Sequence, residues 1–210
     1  MAGFNTYRIG EDGTANYPNL VSIPTDILTQ SNTTFLVYPG VYAALTNAVI
    51  TDASFVGVGE RDEIIINGTF TIANTSSVAL HFENVSMVGP NAAVASGSAC
   101  VNKLGAASLP IRFERVLFSN ADTAVIHSGE LSFATSTRQV TINYSDVAGV
   151  DKAVKANANV AISFSALNTS ANAYFTAGGG TGTPAVTVRA STSGGSNTGA
   201  TLKTVLALVS

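Results

Sequence analysis

Four stretches of the chain lie on top of one another. HFENVSM starts at His81, RFERVLF at Arg112, TINYSDV at Thr141 and AISFSAL at Ala161. The second position of each is apolar (Phe82, Phe113, Ile142, Ile162), and so is the seventh (Met87, Phe118, Val147, Leu167). The starts are 31, 29 and 20 residues apart. A unit of that length, built of short strand-like runs, cannot bury its apolar face alone and must stack on its neighbours. Uneven spacing fits coils that carry loops of different length. The repeat therefore predicts a coiled sheet: each coil pairs with the next about 4.8 Å away, and alternate side chains enter a shared core.

The rest of the chain fits the same plan. Further apolar runs are TFLVYPGVYA (34–43), ASFVGVG (53–59), DEIIINGTFTIA (62–73) and PAVTVRA (184–190), each bounded by Gly, Asn, Asp, Ser or Pro. Such punctuation marks strands. Residues 34–190 then supply roughly six or seven coils of a solenoid. Residues 1–33 read as an N-terminal arm and cap, because Leu20, Val21, Ile23, Ile27 and Leu28 have helical spacing from Pro18 onward. Pro24 is expected to bend or interrupt that helix. Residues 191–210 read as a Gly/Ser-rich linker and an apolar tail, TLKTVLALVS. Left free, Val205, Leu206, Leu208 and Val209 would be sticky, so they are candidates for packing on the last coil or for self-association.

Composition narrows the partners. Charged residues are 11% of the chain, against about 25% in an average soluble protein. A surface so poor in charge suits a protein that covers much of itself with others. The net charge is −3 and the basic residues are scattered, so no nucleic acid is expected. No run approaches the length of a membrane span, and MAGFNTYRIGEDG has no apolar leader core. The six N-x-S/T sites beginning at Asn32, Asn67, Asn74, Asn84, Asn143 and Asn168 are read as turn residues, not glycan acceptors. Cys100 is the single cysteine and is read as a buried thiol.

Few residues suggest chemistry. ADTAVIHSG (121–129) puts Asp122, His127 and Ser128 close together, but neighbours on a strand face opposite sides, so His127 and Ser128 do not form a hydrolase pair. His81 and His127 lack companions at ligand spacing, and no metal or cofactor is expected. Glu83 and Glu114 are equivalent in adjacent repeats and would stand about 5 Å apart, near the separation of a retaining glycosidase pair. The plainer reading is a surface ladder eased by Arg112 and Arg115. GVGERD (57–62) is a turn and not a phosphate loop.

Several motifs together resemble the pectin methylesterases, carbohydrate esterases with a single-stranded, right-handed parallel β-helix. EDGTANYPNLVSIPTDI is similar to the family's D-G-T-x-x-Y/F opening and cap, and FLVYPGVYA to its I-x-V-x-P-G-x-Y strand. FVGVGERDEIIING, LHFENVSMVGPNAAVA, SNADTAVIHSG and GVDKAVKANANVAISF are similar to its later segments. The resemblance implies an acid/base at Asp122 and a nucleophilic aspartate at Asp151. It also implies amide donors for the oxyanion, but Ala121 and Ala92 stand where the family has glutamines. Lys152 and Lys155 replace two Phe, Arg189 is the only basic residue near the family's arginine segment, and Trp is absent. One missing oxyanion donor accounts for about 10²–10³ in rate, so Asp122 and Asp151 are read as vestigial.

The expectation is an all-β, non-enzymatic structural protein of a bacteriophage virion. Its place would be capsid decoration or cement, as a homotrimer on a viral capsid protein, made in the host cytoplasm without a signal peptide. The alternative is a pectin methylesterase-like esterase or a tail-spike-type carbohydrate-binding β-helix, with a surface glycan as partner.

Overall fold

The computed structural model describes residues 5–76, 79–90, 98–105, 107, 109–129, 140–148, 152–156, 160–163, 166–168, 175–177, 186–189 and 192–194. Three sheets run along one axis. The first holds eight strands in chain order: Asn5–Ile9, Thr33–Val37, Asp52–Gly57, Ala79–Glu83, Ile111–Glu114, Val140–Asn143, Val160–Ser163 and Val186–Arg189. The second holds seven: Gly40–Ala43, Ile64–Asn67, Ser86–Val88, Leu117–Ser119, Asp146–Ala148, Ala166–Asn168 and Thr192–Gly194. The third holds five: Phe70–Ile72, Ala99–Lys103, Thr123–His127, Lys152–Ala156 and Phe175–Ala177. Every pairing between these strands is parallel. Five successive turns give one strand to each sheet, so the fold is a parallel β-solenoid.

The repeat seen in the sequence is the register of the sheets. Phe82 pairs with Phe113, Phe113 with Ile142 and Ile142 with Ile162. The seventh positions pair in the same way: Met87 with Phe118, Phe118 with Val147, Val147 with Leu167. Like residues stack because each strand alternates inward and outward, as in Ala79–Glu83, where Leu80 and Phe82 are buried and Ala79, His81 and Glu83 are not. The stack of rings begins at Tyr7 and runs through Phe35, Phe55, Phe82 and Phe113. Centroids from Phe35 onward are 4.9, 5.3 and 5.5 Å apart, and the planes lie within 20° of one another. Such offset stacks favour one register over a slip by one residue, which would turn every ring out to water.

The N-terminal segment departs from its expectation at its start and follows it in the cap, where Pro24 interrupts the helix. Asn5–Ile9 is a strand of the first sheet, paired in register with Thr33–Val37, not part of an arm. The capping helix is two short turns, a 3₁₀ turn Leu20–Ser22 and an α-turn Thr25–Leu28, with Pro24 at the start of the second. Proline has no N–H to continue the first turn, so the chain restarts there. Asn19 closes the first turn, its side chain accepting from the Ser22 N–H at 2.8 Å. Leu20, Ile23 and Leu28 join the core of the first coils.

The turn between the first and second sheets also repeats. Asn84, Arg115 and Tyr144 occupy it in successive coils with φ of 55°, 54° and 48°. Each donates its backbone N–H to the next coil: to Glu114, Asn143 and Ser163 oxygens respectively. Asn84 adds two side-chain bonds, to the carbonyls of Gly57 (3.1 Å) and Gly59 (2.9 Å). Of the same N-x-S/T set, Asn32 is also left-handed and Asn74 lies in a turn, whereas Asn67, Asn143 and Asn168 are the last residues of strands, so the turn reading holds for part of the set only.

Candidate functional site

Asp122 sits half-buried where the second sheet hands over to the third, and its backbone N–H donates to Ser98 Oγ at 3.1 Å. Next to it, Ala121 is completely buried. It packs on Gly89 so closely that a Cβ added there would lie 2.4 Å from the Ala121 Cβ and 3.2 Å from Cys100 Sγ. The position that the esterase resemblance would give to a glutamine is thus a fully buried alanine in direct contact with Gly89. Asp151 and Ala92 lie outside the described residues, as do Val205, Leu206, Leu208 and Val209. Of the lysines that follow Asp151, Lys152 pairs through its backbone with Thr123, and Lys155 is exposed. Arg189 ends the last strand of the first sheet.

His127 is not available for catalysis in this arrangement. It is buried, with Nε2 2.7 Å from the Leu109 carbonyl, while its Nδ1 accepts the Gly129 N–H at 3.1 Å. That pattern needs a neutral ring protonated on Nε2. Burial, and then the Lys103 charge, hold its pKa below the ordinary value of 6.5. Ser128, the next residue, is only partly buried, and its N–H donates to the Lys103 carbonyl. Ile72, Lys103 and His127 form one inward row of the third sheet. Lys103 is fully buried and donates from Nζ to the Leu104 carbonyl at 2.5 Å; burial lowers its pKa. A lysine on an inward row was not anticipated.

Glu83 and Glu114 are in register on the outer face of the first sheet, as their repeat positions imply. Each is tied to an arginine: Glu83 to Arg115 from the next coil, Glu114 to Arg112 on its own strand. The ladder is thus charge-compensated. His81 stands between Ser54 and Arg112 on the same face, and burial followed by Arg112 lowers its pKa. Cys100 is buried, its thiol 3.4 Å from the Ser119 carbonyl, and burial pushes its pKa up to about 12. Such a thiol is inert at neutral pH.

The concave feature that sequence reasoning missed lies beside the repeated turn. Glu60, Arg61, Asp62, Asn84, Arg115 and Tyr144 line an open cavity of about 280 Å³. Arg61 spans it, with one guanidinium nitrogen 2.9 Å from Asp146 and another 3.3 Å from Asp62. Arg61 and Asp146 are 85 residues apart, and only the stacking of coils brings them together. Among the described residues no group of three or more His, Cys, Asp and Glu side chains could hold a metal ion. No helix among them is long and apolar enough to cross a membrane. No protein-family model matches the chain, and no curated protein matches it significantly.

Proposed function

We propose that this solenoid is a non-enzymatic structural protein of a bacteriophage particle, a capsid decoration protein that associates with itself as a trimer and with the capsid surface. In this reading it keeps the outline of a pectin methylesterase-like β-helix without the chemistry. The observation that carries the non-enzymatic part is the packing of Ala121 on Gly89. The resemblance calls for a glutamine amide at position 121 to donate to the oxyanion, and this chain has there a fully buried alanine packed against Gly89. The particle role draws support from the low share of charged residues and from the apolar tail around Val205–Val209, which together favour burial against other chains.

Three measurements test it. Methanol release from methylated pectin should not exceed the buffer blank, and release that disappears in Asp122→Ala and Asp151→Ala would refute the structural reading. Light scattering should return a trimer mass for the full chain and a lower mass once residues 201–210 are removed. A monomer in both cases would remove the self-association, and absence of the chain from purified virions would remove the particle role.

A further inference from the structure

Asparagine tolerates the left-handed backbone at the repeated turn, but arginine and tyrosine carry a steric penalty there. Gly or Asn would make the same turn with less strain. What Arg115 and Tyr144 add is a side chain, and both add it to the wall of one cavity. Tyr144 is 56% exposed, a large aromatic residue left in contact with water.

The walls are held in place before any ligand arrives. On one side the Arg61 carbonyl accepts from Ser86 Oγ at 3.1 Å, and the Arg61 guanidinium is anchored on Asp146. On the other, Glu83 holds Arg115, and the Asn84 amide is bonded to Gly57 and Gly59. A groove fixed in this way loses little freedom on binding. Its charge is one-sided: Glu60, Asp62, Asp146 and Glu83 bring four carboxylates against the two guanidiniums of Arg61 and Arg115. Both guanidiniums are already engaged, so the groove repels anions.

An exposed aromatic ring with carboxylates beside it matches a pyranose. The ring can cover the C–H face of the sugar, and carboxylate oxygens can accept from neighbouring hydroxyls. We infer that the groove binds a neutral saccharide, with a sugar ring against Tyr144 and its hydroxyls bonded to Glu60 and Asp62. The site is separate from Asp122, and it excludes the uronic-acid polymers that an esterase of pectin would take. It stands whether or not the protein decorates a capsid.

Calorimetric titration with neutral hexasaccharides (maltohexaose, cellohexaose, xylohexaose) and with hexagalacturonate tests the inference, on the full chain and on Tyr144→Asn. The replacement suits the left-handed turn, so its melting temperature should be unchanged or higher, and Glu60→Gln serves as a second variant. The expected result is that at least one neutral hexasaccharide binds with a Kd of about 1 mM or below. Tyr144→Asn and Glu60→Gln should each weaken it about tenfold, and hexagalacturonate should not bind. Absence of neutral binding, affinity unchanged in both variants, or tighter binding of hexagalacturonate would overturn it.

Discussion

The proton on His127 resides on Nε2, because Nδ1 is occupied by the Gly129 N–H. Adding a second proton would break that bond inside a buried site that also faces Lys103. The unfolded chain takes the proton near pH 6.5 and the folded chain only below it. Stability is therefore fully present above about pH 6.5 and is lost as pH falls, with a limiting slope of about 1.4 kcal/mol per pH unit. His81 has its pKa lowered by burial and Arg112 and adds to the same window. Urea titrations at stepped pH should show the decline, and His127→Gln should lower the midpoint overall yet flatten the profile. At the alkaline end two buried groups oppose each other: the lowered Lys103 pKa favours the fold as pH climbs toward 10.5, whereas the Cys100 thiol, pushed up to about 12, disfavours it above about pH 9, so Lys103→Met should steepen the alkaline loss of stability. At the turn, Asn84→Ala loses both a residue suited to left-handed backbone and two side-chain hydrogen bonds. A loss of about 2–3 kcal/mol in urea unfolding is expected.

Strands, not helices, set the energetics of each coil, and their contribution is concentrated in the ring stack. Phe82 touches Phe55, Phe70 and Phe113, so Phe82→Ala removes contacts in two directions along the axis and one across it. It should cost about 3–5 kcal/mol, whereas Val41→Ala, at a position 67% exposed, should change the urea midpoint little. Strands with this alternation could be read from the sequence because inward aromatics alternate with polar residues. Ala99–Lys103 could not: its inward row ends on a buried lysine, and Cys100 is buried as well, so the polar and apolar pattern is scrambled. Asn5–Ile9 was hidden for another reason, since its ring, Tyr7, is only partly buried at the end of the stack. The helical turns were legible in their buried residues and in the break at Pro24. The groove was not, because Arg61, Arg115 and Tyr144 are neighbours through coil stacking and not through sequence.

On the scale of the whole molecule, a stack of parallel coils is as soluble as its ends are covered. At the N-terminal end, Leu20, Ile23 and Leu28 close over the core. Leu20→Asp should open that lid and produce concentration-dependent association, seen as rising mass in light scattering while the middle coils stay folded. The inward column that starts at Tyr7 also changes along the axis. Its members are Phe35, Phe55, Phe82 and Phe113, then Ile142 and Ile162. Aromatic rings give way to smaller aliphatic side chains. In a one-dimensional stack, stability is a sum of neighbouring interfaces, so the column sets a gradient with its strong end first in the chain. A ribosome makes that end first. The nascent chain can close its tightest rungs before the weaker ones emerge, and each later coil then adds to a template already in register, so synthesis and assembly run in the same direction.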